Sequence, residues 1–82
     1  MRQLAYIVAY DIASSRRRAR VARHLVARGA RVQKSVFVCR LTPAGARRLG
    51  VALGRMIDAG SDSIMIEPMA GRGFETAGAL VL

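Results

Sequence analysis

The sequence predicts one α+β domain whose elements run strand, helix, strand, strand, helix, strand. Three observations carry this. The run Leu4 to Tyr10 alternates Leu4, Tyr6, Val8, Tyr10 with Ala5, Ile7, Ala9, and both sets are apolar, as a strand buried on both faces and central in its sheet requires. Two segments pair helix-start residues with helical apolar spacing, and the stretches between and after them are short and rich in Val, Phe and Ile.

Taken in order, Leu4 to Tyr10 is the first strand and Asp11 ends it. Ser14 or Ser15 caps a helix expected to run to about Arg28 and to end at Gly29. Ala19, Val21, Ala22, Leu25 and Val26 form its apolar arc, with Arg16, Arg20, Arg23 and His24 opposite. Arg18 falls inside the arc but in the first turn, where its stem can lie on the core and its guanidinium can reach back toward the helix start, near Asp11. Arg31 to Leu41 reads as two short strands broken near Lys34 and Ser35. Thr42 then Pro43 is a cap followed by a first-turn proline, starting a helix expected to reach about Asp58, with Ala46, Leu49, Ala52, Leu53, Met56 and Ile57 inward. Ala59 and Gly60 turn the chain into a last strand, Ser63 to Glu67, stopped by Pro68. Two helices and one sheet in this order make the ferredoxin-like βαββαβ arrangement. It occupies residues 1–68. Residues 69–82 form a C-terminal extension, a dimer or partner interface, whose apolar end, Ala77 to Leu82, is expected to add a strand to the sheet edge of a second copy; the rival reading is a frayed terminus.

Eighty-two residues make one domain with a small core, for which dimerisation is a natural source of further burial. Hydrophobic residues are 52% of the chain, too many for a disordered basic tail, and no apolar run is long enough to cross a membrane. Fourteen basic residues oppose five acidic ones, and thirteen of the fourteen are Arg. Arginine's planar fork suits phosphate, so the bias points to a polyanion, although a GC-rich genome produces the same bias. Cys39 is alone, which rules out an intrachain disulfide, and it reads as a small buried hydrophobe. With no secretory cleavage pattern at the start, the expected location is the cytoplasm.

Asp11 at a strand end, followed by Arg16, Arg17, Arg18 and Arg20, places a carboxylate able to ligate a metal beside a phosphate-attracting surface. The bland alternative is a strand-ending acid that accepts backbone hydrogen bonds in the following turn. Ser35 is either a phosphate- or metal-shell hydroxyl or a turn residue, and Phe37 reads as core or interface, the alternative being a base-stacking platform. His24, on the basic side of the first helix, reads as a surface residue. Gly71 and Gly73 lack the strand and helix context of a nucleotide loop.

Tyr10 and Asp11, the arginine-bearing first helix, the string Arg31 to Phe37 and the closing Asp62, Ser63, Ile64 together resemble the small CRISPR-associated endonuclease family Cas2, over about residues 4 to 67. The resemblance implies a ferredoxin-like homodimer in which Asp11 faces its twin and the two can share a Mg²⁺ ion. It also implies active-site or nucleic-acid-contacting positions for Tyr10, Arg18, Arg20, Arg31, Ser35 and Phe37. The resulting assignment gives Asp11, Tyr10, Arg18 and Ser35 to catalysis, with Asp11 as the metal ligand. Arg16, Arg17, Arg18, Arg20, Arg31 and Lys34 are assigned to nucleic acid, and Phe37, Phe74, Leu80 and Leu82 to the interface. Val38 and Arg40 stand where relatives often carry acids, which removes possible ligands and adds attraction for phosphate. The function implied is a double-stranded DNA-binding scaffold for the larger CRISPR integrase subunit that inserts new spacers. The alternatives are a metal-dependent endonuclease on single-stranded RNA or double-stranded DNA, and a ferredoxin-like RNA-binding or regulatory module.

Overall fold

The computed structural model describes residues 2–69. Its elements are β1 (Leu4–Asp11), α1 (Ser15–Val26), β2 (Gly29–Gln33), β3 (Val36–Leu41), α2 (Pro43–Gly54) and β4 (Ser63–Pro68). The sheet order is β2-β3-β1-β4, every neighbouring pair is antiparallel, and β1 is central, as its two apolar faces demand. This is the ferredoxin-like βαββαβ fold. The expected additional strand, with Phe74, Leu80 and Leu82, lies outside the described residues.

Opposite partners share a face, so Val8 with Phe37 and Ile66, and Tyr6 with Cys39, point to one side. Both helices cover that side. Val21 and Leu25 of α1 and Leu49 and Leu53 of α2 close over Val8, Tyr10, Phe37 and Cys39, all buried. Each such side chain contributes on the order of 1.5–3 kcal/mol by leaving water. Phe37 is 0% exposed, so its place is the core of the protomer and not an interface. The opposite side carries Ala5, Ile7, Ala9, Val36, Val38 and Met65, with Arg40 opposite Ala5 and Glu67 opposite Ile7 toward one end.

Ser14 caps α1, its hydroxyl accepting from Arg17 N at 3.3 Å, and Thr42 caps α2, accepting from Gly45 N at 3.0 Å. Both helices stop earlier than the sequence suggests. α1 ends at Val26, which is 58% exposed although it belongs to the expected apolar arc. Gly29 is the first residue of β2 and not a helix terminator. A Cβ there would collide with Val38 O and come within 2.7 Å of the Cys39 thiol, so glycine is required by the close approach of β2 to β3. α2 ends at Gly54, and residues 55–62 are drawn instead into a loop organised by Asp62. Pro68 closes β4 within the strand, opposite Tyr6, where the outer position in the described sheet tolerates a residue without an N–H.

Asp62 has no exposed side-chain surface and accepts bonds from three directions. Ala13 N donates to Oδ1 at 3.0 Å, Asp58 N to Oδ2 at 2.9 Å, and Arg17 Nε to Oδ2 at 2.7 Å with Nη2 reaching Oδ1 at 3.2 Å. The β1–α1 loop, the α2–β4 loop and the first turn of α1 thus share one acceptor. The Arg17 guanidinium above all, and then the Asp58 and Ala13 amides, hold Asp62 well below the usual carboxylate range, while burial acts in the opposite direction.

These contacts have two measurable consequences. Gly29→Ala should destabilise the protein by about 1–3 kcal/mol in urea titration, because β2 and β3 must separate to admit the methyl group. Asp62 is less protonated in the folded than in the unfolded chain, whose Asp has a pKa near 3.9. Its contribution is therefore complete above about pH 4 and lost as pH falls further toward the folded value. Melting temperatures recorded from pH 2 to 6 should show this acid limb in the wild type and a flatter one in Asp62→Asn, which should also melt lower at pH 6. Parallel limbs for the two proteins would contradict the assignment.

Candidate nucleic-acid interface

The end of β1 positions the site. Alternation along the strand sends Tyr10 inward, where it stacks on Phe37 with ring centroids 6.4 Å apart, and leaves Asp11 exposed at the rim. Beside it lies the two-residue turn joining β2 and β3. Tyr10 ties this turn down twice: its N–H donates to Ser35 O at 3.1 Å and its hydroxyl to Lys34 O at 3.3 Å. Arg31 adds a fork, with Nε at 3.1 Å and Nη2 at 2.6 Å from the same Lys34 carbonyl, and its guanidinium lies 5.3 Å from the Phe37 ring centroid. The Lys34 oxygen is therefore the anchor of the turn, while the Lys34 ammonium and the Ser35 hydroxyl project from it.

Across from the turn stands the N-terminal half of α1. Arg18 folds back as its first-turn position suggests, Nη1 donating to Ile12 O at 2.9 Å and Ala13 O at 3.3 Å, beside Asp11. Between helix and turn opens a cavity of about 600 Å³. Arg18, Arg23, Arg31 and Lys34 give it four cations against the single carboxylate of Asp11, and Ser15 and Ser35 add hydroxyls, the Tyr10 hydroxyl being committed to Lys34 O. An open, positively charged hollow with hydroxyl donors is suited to phosphate oxygens.

Of the residues singled out from sequence, Tyr10, Asp11, Arg18, Arg31, Lys34 and Ser35 line this one cavity. Arg16 and Arg20 are exposed on α1 but do not line it. Arg17 faces elsewhere: its fork is engaged by Asp62, whose bond raises the Arg17 pKa further, so this arginine serves as a tether. Phe74, Leu80 and Leu82 lie outside the described residues. Sequence reasoning overlooked Arg23 as a lining residue and Asp62 as the organiser of the loops; one acid after a Gly-Ser turn gives no local sign of burial. Among the described residues no three His, Cys, Asp or Glu side chains converge as a metal cluster, so Asp11 offers one carboxylate per protomer. In the described residues no helix is long and apolar enough to cross a membrane.

Comparison with known proteins agrees with this geometry. The chain is 42% identical over 67 residues to the CRISPR-associated endonuclease Cas2 2 of Thermus thermophilus, covering 82% of this chain and 74% of that protein. It is 38% identical over 66 residues to the CRISPR-associated endoribonuclease Cas2 3 of a Synechocystis species, covering 80% and 72%. The crystal structure of hypothetical protein TT1823 from Thermus thermophilus superposes with a TM-score of 0.80 at 40% identity, over 84% of each chain. That of Streptococcus pyogenes Cas2 at pH 6.5 gives 0.75 at 32% identity, over 90% of this chain and 94% of the other. With residues 4–77 also matching the family described as CRISPR associated protein Cas2, the chain belongs to the Cas2 family.

Proposed function

We propose that this Cas2 protein acts in CRISPR adaptation as a dimeric, double-stranded DNA-binding scaffold for the larger integrase subunit that inserts new spacers. The observation that carries the reading is the gathering of Arg18, Arg23, Arg31 and Lys34 around one cavity, with Arg16 and Arg20 exposed on the same helix, α1. Such a surface draws a phosphate backbone by counterion release. Two of these guanidiniums are pinned by backbone carbonyls, so their charge is presented at little further cost in side-chain order. The second face of the sheet, where half-buried Ala5, Ala9, Val38 and Met65 lie beside exposed Arg40 and Glu67, supports pairing with a second copy. Cys39, buried and with its thiol pushed up by that burial, suits a reducing cytoplasm.

The second reading is metal-dependent cleavage of RNA or DNA, favoured by Asp11 standing exposed in the same cavity as Ser35 and Arg18. The relatives named endonuclease and endoribonuclease carry that activity in their names. A Mg²⁺ ion takes one or two carboxylates and keeps its other places for water and phosphate, which the Asp11 pair of a dimer would satisfy. When bound, such an ion activates water and neutralises phosphate charge. Arg18 and Arg31 would hold the phosphate, and Ser35 would orient it.

Lys34 separates charge from architecture, because its carbonyl and not its side chain anchors the turn. Lys34→Ala should weaken binding to unrelated duplexes by the same factor. It should also reduce the slope of log K against log salt by about 1, measured by fluorescence anisotropy. Sequence-selective loss, or an unchanged slope, would sink the backbone-binding reading. Asp11→Asn distinguishes the two functions. The scaffold keeps duplex binding and partner-dependent integration, whereas the nuclease loses Mg²⁺-dependent cleavage by at least about 100-fold, as when a metal ligand's charge is removed.

A further inference from the structure

A second hollow lies at the other end of α1. It is about 310 Å³, opens between the C-terminal half of α1 and the first turns of α2, and is floored by Leu41, Leu49 and Ala52. His24, Arg28 and Arg48 form its rim, and no carboxylate among the described residues lines it. Arg28, in the turn that follows α1, is held back against that helix, Nη1 donating to His24 O at 2.9 Å. The start of α2 adds partial positive charge, since its first turn contains no acid to offset the helix dipole.

Gly45 also lines the hollow, in the first turn of α2 and with no positive φ. A Cβ at this position would come within 3.2 Å of Thr42 Oγ1 and 3.8 Å of both Leu41 Cβ and Arg48 Nη2. The close contact is with the cap hydroxyl of Thr42, while toward the hollow a methyl group would meet Leu41 and Arg48 only at ordinary contact distance and narrow the space between them. A bare phosphate has no use for Leu41, Leu49 and Ala52, and a purely apolar side chain has no use for three basic groups. The combination matches a chain that alternates carboxylates with aliphatic side chains.

We propose that this α1–α2 groove docks an acidic segment of a partner protein, with one aliphatic side chain on the Leu41–Leu49–Ala52 floor and carboxylates on Arg28, Arg48 and His24. The groove is separate from the cationic cavity at the start of α1, and the proposal does not depend on the duplex-binding reading. His24 is the only histidine of the chain, which makes it a built-in reporter. Partial burial, and after it the Arg28 charge, hold its pKa below the ordinary histidine value. A carboxylate brought against it reverses that influence.

The test uses the full chain and a synthetic peptide, acetyl-Glu-Leu-Glu-Leu-Glu-amide, with the His24 imidazole signals followed by NMR. The peptide should shift those signals saturably and raise the His24 titration midpoint. Arg48→Ala should weaken the peptide at least about 10-fold, the size of one lost charge-assisted contact. Gly45→Ala should weaken it several-fold while leaving the Lys34-dependent duplex binding intact; if Gly45→Ala misfolds, the Arg48→Ala comparison alone decides. Three results would each overturn the proposal: no saturable shift, equal binding of the Gln-for-Glu peptide, or an equal shift of His24 by inorganic phosphate or a short duplex. The last would give the groove to nucleic acid instead.

Discussion

The carboxylate of Asp62 fixes the end of the sheet on which the cationic cavity is built. It takes the Ala13 amide from the loop after β1, the Asp58 amide from the loop before β4, and the Arg17 fork from α1. Without it, donors from three part-buried segments would lose the one acceptor they share, each such bond being worth on the order of 1 kcal/mol or more to a charged acceptor. Because Ala13 follows Asp11 by two residues, this acceptor also limits how far the strand-end carboxylate can move relative to α1. The direction from which Arg18 approaches is set in the same stroke, since its guanidinium reaches the Ile12 and Ala13 carbonyls of that loop.

Arginine does two different jobs here. Arg17 and Arg31 use the geometry of their forks inward, on Asp62 and on the Lys34 carbonyl, and lysine could not reproduce the paired contacts. Arg16 and Arg20 use only their charge, outward. Arg17 is thereby lost to a polyanion, whereas Arg31, although pinned, still lines the cationic cavity. The arrangement gains a rigid turn in exchange: Tyr10, Arg31 and Phe37 make a stacked layer under Lys34 and Ser35, so the groups facing the cavity rest on the core.

Much of this was legible in the chain. Central placement of β1 follows from two apolar faces, the break at Lys34 and Ser35 from an interruption of the strand pattern, and both helix starts from Ser14 and from Thr42 with Pro43. The helix ends were not. Gly29 looks like a terminator because glycine serves both helix ends and close strand approach, and only the position of β3 tells them apart. The α2 pattern continues through Met56 and Ile57, which do pack on the core, but after the backbone has left the helix. Six of the site residues meet in one cavity because they flank the end of one strand. Arg17 departs from them because its partner is 45 positions away in the chain.

The register of β1 has an evolutionary corollary. Six consecutive pairs bind it to β3 and six to β4, and one inserted or deleted residue between Leu4 and Tyr10 would exchange the faces of the residues that follow it. Tyr10 would leave Phe37, and Asp11 would be forced toward the helices. In the loop at residues 55–61, by contrast, a length change beyond Met56 and Ile57, which pack on the core, needs only to preserve the reach of Asp58 to Asp62. Lineages of this chain are therefore free to drift in length after α2 and are held to a constant length through the first strand.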